Sequence, residues 1–425
     1  MSITKLQWHT EKRKVSELLP YDRNPRQISE KQMHDLQKSL KKFNLVELPA
    51  IDADGRVVAG HQRLKALQLL GRGNEKIEVR VPNRKLTEQE YKQYLISSNA
   101  ISGDWDFEKL KNFDVELLLG AGLNENELAN IWDQTLEIED DEFDVEKELQ
   151  KIKKSKTKLG DIFQLGQHKL ICGDATDPAV VKKLLGKEQA DMVYSDPVYN
   201  IGIDYSTGIG GKQNYGGSVN DKRTDDEYKE FLRSSMEQAL VVSKEDVHVF
   251  YWCDQKYIWM VQELYRELNI ANKRVCMWIK NGHNPTPGVA FNKCYEPCIY
   301  GTRGKPYLTK EIKNLNEIAN KELGTGNRLI DDILDMLDIW LVKRLAGSDY
   351  QHATAKPPTL HEKAMRRCTK PGNIIIDSFA GSGSTLIAAE QLKRKAYLVE
   401  LEPIFCDLII NRYEKLTNTK AKKIN

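Results

Sequence analysis

Along this chain, short apolar runs repeatedly break at a glycine or proline turn and then resume with helical spacing. Residues 57–71, VVAGHQRLKALQLLG, read as a strand that turns at Gly60 into a helix. Leu64, Leu67 and Leu70 recur on one helical face, and Gly71 can end it. Upstream, residues 18–40 form a Pro- and Asn-punctuated loop feeding an amphipathic helix with Ser29 as its N-cap. KIEVRVP (76–82) predicts a strand, with helices near 86–99 and 106–119. Farther on, HKLICG (168–173) predicts a strand leading into Gly173-Asp174, and Asp177-Pro178 marks a helix start. ADMVYS (190–195) is the next strand. A helix joining two short apolar strands is a βαβ unit, so the sheet is parallel α/β, with active groups at the strands' carboxyl ends. Asp174 and Asp196 both fall at such ends. IIIDSFAGSGSTLIAAEQL (374–392) repeats the strand–turn–helix pattern, and RKAYLVELEP (394–403) adds a strand ending at Glu400.

A length of 425 residues predicts two or three domains. Charge places the division. Residues 137–148, EIEDDEFDVEKE, are acidic and residues 151–158, KIKKSKTK, are basic, so 136–158 reads as a solvated linker or a highly charged helix. It separates an N-terminal part (10–135) from a C-terminal part (159–418). No apolar run reaches the eighteen or so residues of a membrane span, and the N-terminus lacks a signal-like apolar region. Seven scattered cysteines give no zinc-type double pair, which predicts a reducing, cytoplasmic location and no metal. Cys294, Cys298 and Trp252 are expected in the interior. A formal net charge of +2 is neutral on nucleic acid, so any DNA contact must come from local basic surface.

Two segments carry candidate chemistry. Asp196-Pro197-Val198-Tyr199 follows a strand. The Asp196 carboxylate and the Pro197 carbonyl supply acceptors for both hydrogens of a nucleobase amine, and Tyr199 offers a face for its ring. That arrangement draws the amine lone pair out of conjugation toward an electrophile. Read alone, the same tetrad is an ordinary Pro-containing turn. Some 180 residues later, Gly381 and Gly383 open a helix, where free amides favour the carboxylate of an amino-acid-like cofactor. Glu400 stands about twenty residues on, an offset that suits a ribose diol. The F-x-G-x-G spacing, without a third glycine, leans away from a dinucleotide.

In this order, tetrad before glycine turn, residues 159–418 resemble the β-class (N4-cytosine/N6-adenine) DNA methyltransferases. The resemblance implies a permuted Rossmann-like sheet binding S-adenosylmethionine. It places Asp377, Phe379, Gly381, Gly383 and Ser384 around that cofactor, Glu400 on its ribose and Asp174 near its adenine. HATAKPPTLHEKAMRRCTKPG (352–372) matches the segment beside the methionine moiety through His352 and Lys356. WIKNGHN (278–284) and YEPCIYG (295–301) match the strand-and-hairpin region. Asp196, Pro197 and Tyr199 take the catalytic roles. The family tetrad is most often Asp-Pro-Pro-Tyr; Val198 departs from it, which loosens the turn and leaves a poorly active DNA-binding protein as an alternative. The leading Asp leans toward adenine N6, with cytosine N4 the alternative. Residues 302–350 are expected to form a target-recognition insertion containing Arg303, Lys305, Lys310, Lys313, Lys321 and a helix-like IDDILDMLDIWLVKRL, a core or homodimer element. The loop 202–217 is expected to flank double-stranded DNA.

The N-terminal part is similar to the ParB-like nuclease-fold domain, a small α+β module, through Asn24-Pro25-Arg26 and Gly60-His61-Gln62-Arg63. The resemblance implies that Arg26, Gly60, His61 and Arg63 meet phosphates of a nucleoside triphosphate or a nucleic acid. The plain alternative is that Gly60 only ends a strand and Arg63 is solvated.

Overall fold

The computed structural model describes residues 6–27, 30–98, 104–105, 107–110, 113, 115–120, 123, 128, 132, 136, 138–141, 143–202, 221–284, 293–309, 338–342 and 356–424. They fall into two compact units, Met1–Leu136 and Glu137–Asn425.

In the first unit, β1 (Trp8–Lys14), β5 (Lys76–Pro82), β3 (Ala50–Ile51) and β4 (Val57–Ala59) form a sheet in that order, while β2 (Arg26–Gln27) pairs with β6 (Asp104–Trp105). The alternation of β5 buries Ile77, Val79 and Val81 and exposes the residues between them. Those three pack with Leu40, Leu64 and Leu67 from the helices Glu30–Phe43 and His61–Leu69. Gly60 joins β4 to the second helix at φ +93°, and a Cβ there would sit 3.1 Å from Pro49 Cα. Its absence of a side chain is therefore a packing requirement. Ser29 lies outside the described residues. The helix expected near 106–119 is two short ones, Phe107–Leu110 and Val115–Gly120.

The second unit carries one mixed sheet: β7 (Ile162–Leu165), β8 (His168–Cys172), β9 (Ala190–Ser195), β10 (Ser243–Trp252), β11 (Ala271–Asn284), β12 (Lys293–Arg303), β13 (Ile339–Leu341), β14 (Ile374–Asp377), β15 (Lys395–Glu400) and β16 (Lys422–Lys423). Their order is β13-β11-β12-β10-β9-β14-β15-β8-β7-β16. The run from β10 through β9, β14 and β15 to β8 is parallel, and its central strands β9, β14 and β15 are mostly apolar and buried because both faces are covered. From β9 the chain moves outward to β10, and from β14 it moves the other way to β15. The carboxyl ends of β9 and β14 thus flank a point where the winding direction reverses, which is where a crevice opens in such sheets. This permuted α/β sheet is the architecture expected from the sequence.

Three expectations give way. The acidic stretch is docked, not solvated: Phe143 and Val145 pack on Leu408, and Asp141 forms a doubly hydrogen-bonded ion pair with Arg412 (2.6 and 2.7 Å). The other alternative, a highly charged helix, is met over Val145–Lys151. Ile339–Leu341, within the stretch read as a helix, is strand β13, paired in parallel with Met277–Ile279. Cys294 is exposed, whereas Cys298 and Trp252 are buried as expected. Among the described residues, no helix is long and apolar enough to cross a membrane.

Candidate active site

Asp196 leaves the end of β9 and the glycine turn leaves the end of its neighbour β14. Ser378 N–H reaches Ser195 Oγ at 3.5 Å, so the two segments, far apart in sequence, are stitched at their ends. Tyr199 donates from its hydroxyl to Asp196 Oδ1 at 2.9 Å and is also 3.1 Å from Glu296 Oε2. Lys356 Nζ donates to Asp196 Oδ2 at 2.5 Å and lies 2.9 Å from the Tyr199 hydroxyl. It also lies 3.3 Å from Glu296 Oε2 and over the faces of Trp252 (4.7 Å) and Tyr199 (5.2 Å). Lys280 pairs with the other Glu296 oxygen. Asp196 keeps 27% of its side chain exposed to the crevice, whereas Lys356 keeps 5%.

Burial sets the electrostatics here. It pushes the Asp196 carboxyl up, opposed by the Lys356 ammonium. It lifts the Tyr199 phenol far above its ordinary range, so Tyr199 stays a neutral donor. Burial also pushes Glu296 up, but Lys356 and Lys280 outweigh it and hold this carboxyl at about 2. Lys356 loses by burial and gains more from Asp196 and Glu296, so it remains an ammonium.

The glycine turn is held from behind. Gly383 has φ +78° and begins the helix Ser384–Gln391; its ideal Cβ would press on Ile409 Cγ1 at 3.1 Å. Gly381 differs. At φ +52° its Cβ would meet nothing closer than Phe379 O at 4.0 Å, so its missing side chain leaves open space. Gly381 N–H donates to Glu400 Oε2 at 2.8 Å, and Glu402 N–H donates to Glu400 Oε1 at 2.9 Å. Asp377 accepts from Phe379 N–H at 3.0 Å. Burial raises Asp377 and Glu400 each to about 7, and neither makes an ion pair among the described residues. Two buried carboxyls with no ion pair among the described residues suit a ligand that brings hydroxyls and a positive charge. Asp174, just beyond β8, is exposed beside this end of the sheet and folds back to accept from Thr176 N–H. Phe379 is half-buried against Phe231. A cofactor with an adenosine, a ribose diol and an amino-acid tail therefore fits the residues present.

Several contributors were not singled out in the sequence. His361 bridges the Tyr194 hydroxyl (3.0 Å) and Ser384 Oγ (2.8 Å), and burial holds it neutral at about 3. It lies in the 352–372 segment, where proximity to Lys356 was the available hint. Arg412 donates to Ser382 O at 2.9 Å, bracing the glycine turn against the acidic stretch. Tyr228 donates to Val198 O at 2.7 Å. Glu296 and Lys280 converge through the β11–β12 pairing, in which Trp278 faces Glu296. Lys356, matched in sequence to the methionine side of the cofactor, is bonded here to Asp196. His352, Lys310, Lys313, Lys321 and most of the loop 202–217 lie outside the described residues.

In the N-terminal unit, Arg63 is ion-paired with Glu47. His61 accepts from Tyr21 N–H at 3.3 Å, and burial lowers it to about 4, so it presents no charge to a phosphate at neutral pH. It lines a cleft of about 790 Å³ together with Tyr21, Asn24, Glu30 and Lys65. Arg26 contributes the backbone of β2. The resemblance brought His61 to a phosphate; in the structure its Nε2 is engaged by the Tyr21 N–H.

A family model described as an N6/N4 DNA methylase matches residues 190–411, more than half of the chain, and the chain belongs to this family of DNA methyltransferases. The type II methyltransferase M2.DpnII of Streptococcus pneumoniae is 28% identical over 255 residues, covering 55% of this chain and 85% of that protein. The crystal structure of the M1.HpyAVI–SAM complex aligns with a TM-score of 0.40 and 18% identity over 57% of this chain and 97% of that one. A Pnob8-like ParB-N domain aligns at a TM-score of 0.22 and 15% identity, covering 31% of this chain and 49% of that one.

Proposed function

We propose that this chain methylates the exocyclic amine of a base extruded from double-stranded DNA, with adenine N6 as the target and S-adenosylmethionine as the donor. The observation that carries the reading is the shared crevice between the end of β9, with Asp196, and the end of β14, with the open turn at Gly381. When bound, the donor supplies an electrophilic methyl group on sulfur. Gly381, Asp377, Phe379 and Glu400 hold it through the open turn, an aromatic face and buried carboxyls. Asp196 and the Pro197 carbonyl accept the amine hydrogens, and Tyr199 lies beside the base ring. The amine nitrogen gains the methyl carbon, the carbon–sulfur bond breaks, and one amine proton leaves toward the Asp196 carboxylate. Little more than alignment is required of the protein. Asp at the tetrad's first position supports adenine over cytosine N4.

The test uses tritiated S-adenosylmethionine and genomic DNA from a methylation-deficient strain, followed by digestion to nucleosides. Wild type should yield labelled N6-methyl-2′-deoxyadenosine and Asp196→Ala should yield none. Label in N4-methyl-2′-deoxycytidine corrects the base; equal label from both proteins ends the proposal.

A further inference from the structure

Both oxygens of Asp196 are taken by the protein's own donors, Oδ1 by the Tyr199 hydroxyl (2.9 Å) and Oδ2 by the Lys356 ammonium (2.5 Å). An ammonium at that distance cancels the charge that an incoming amine must feel. Each donor, however, has a second acceptor within reach, and it is the same atom: Glu296 Oε2 lies 3.1 Å from the Tyr199 hydroxyl and 3.3 Å from Lys356 Nζ. Glu296 is fixed on β12 by Lys280 and is nearly enclosed, with 16% of its side chain exposed.

We propose that Glu296 is a positioning residue that takes Lys356 and Tyr199 off Asp196 when the target amine arrives, so restoring the acceptor's charge. The move needs only short displacements, because both donors already touch both carboxylates. It also explains why a second carboxylate is buried here with two lysines: one lysine anchors it and the other is shared. This inference rests on the methyltransferase reading and adds an exchange step to it. The groups facing Asp196 are Lys356, Tyr199 and Glu296, with Asp377 and Cys253 farther off.

The assay is methyl transfer from tritiated S-adenosylmethionine to genomic DNA from a methylation-deficient strain. Glu296→Gln should lower kcat by at least about tenfold, while S-adenosylhomocysteine affinity by calorimetry stays within about twofold of wild type. Removing the Glu296 charge removes a repulsion on Asp196, so the acid limb of the kcat profile should move to lower pH; a merely structural role does not move it. Adding Lys356→Met to Glu296→Gln should raise kcat above that of Glu296→Gln alone, because the blocking ammonium is gone. Should Glu296→Gln misfold, Glu296→Asp, which keeps the charge but retracts it, should give a smaller fall in kcat with the acid limb unmoved. Wild-type kcat in both Glu296 variants, or a double variant no faster than Glu296→Gln, overturns the exchange. A wild type that labels no DNA overturns the methyltransferase reading instead.

Discussion

The two glycines of the turn after β14 should fail in different ways when each is replaced by alanine. Gly383→Ala places a methyl 3.1 Å from Ile409 Cγ1 and 3.3 Å from Cγ2, on a residue buried in the helix Pro403–Thr417. A left-handed backbone costs a non-glycine residue about 1–2 kcal/mol. Overpacking a filled site costs about 1–3 kcal/mol more. Together they predict a loss of about 2–5 kcal/mol, enough to threaten the unit. Gly381→Ala, at φ +52°, carries the same backbone cost of about 1–2 kcal/mol. It carries no packing cost, since the nearest heavy atom is 4.0 Å away. Its methyl enters the space where the cofactor should lie, so ligand affinity should fall by more than about tenfold, that is about 1.4 kcal/mol. The assay is urea unfolding, following the transition that added S-adenosylhomocysteine shifts, with calorimetry of the same ligand on the folded protein. Gly383→Ala should move the unfolding midpoint far more than Gly381→Ala, and Gly381→Ala should lose the ligand. Undiminished ligand affinity in Gly381→Ala would refute the placement of the cofactor, and equal stability losses would refute the packing account.

The remaining expectations concern charge. Burial raises Glu400 from 4.5 to about 7, so its carboxylate becomes available to ribose hydroxyls only as pH rises through that value. S-adenosylhomocysteine should therefore bind more tightly at pH 8 than at pH 6, and Glu400→Gln should flatten the change measured by calorimetry. The sign for stability is opposite: the folded chain holds the Glu400 and Asp377 protons more tightly than the unfolded one, so ligand-free stability declines as pH rises toward about 7. Urea midpoints between pH 5 and pH 8 check this. Asp141→Ala strands the buried Arg412 guanidinium and should cost about 3–5 kcal/mol, read by the same unfolding transition.

Where local pattern and tertiary structure agree, the fold was legible in the residues themselves. The turns at Gly60, Asp174, Asp196 and Gly381 each follow a short apolar run, and each sits at the end of a strand. What failed depended on partners distant in the chain. Ile339–Leu341 has helix-like apolar spacing but gains a parallel neighbour in β11, and pairing overrides local preference. The acidic stretch has few apolar residues, yet Phe143 and Val145 find Leu408, and Asp141 finds Arg412, more than 250 positions away. Cys294 is exposed near the start of β12, between half-buried Lys293 and Tyr295, whereas the buried run of that strand begins only at Pro297. Glu296 and Lys280 meet only through the β11–β12 register, which no linear motif encodes. The site's acceptors and Lys356 were legible; the bond from Lys356 to Asp196 and the Glu296–Lys280 pair beside it were not.

Val198 bears on how the tetrad is held. A second proline there would restrain the turn by limiting its backbone before folding. This chain restrains the folded turn instead. Tyr228, from the helix Asp225–Val241, donates to Val198 O at 2.7 Å. Asn200, at φ +54°, donates through its backbone N–H to Asp221 Oδ1 (2.6 Å) and through its side chain to Arg223 O (3.0 Å) and the Tyr257 hydroxyl (2.9 Å). Buried hydrogen bonds of this kind are costly to leave unmade, so they fix one geometry firmly even though each adds only about 1 kcal/mol net. The restraint on this turn thus comes from the later side chains of Asp221, Tyr228 and Tyr257, and the missing proline need not free the Asp196 carboxylate. Tyr228→Phe should therefore change kcat in the tritium-transfer assay more than Val198→Pro does, and the reverse order would refute this account.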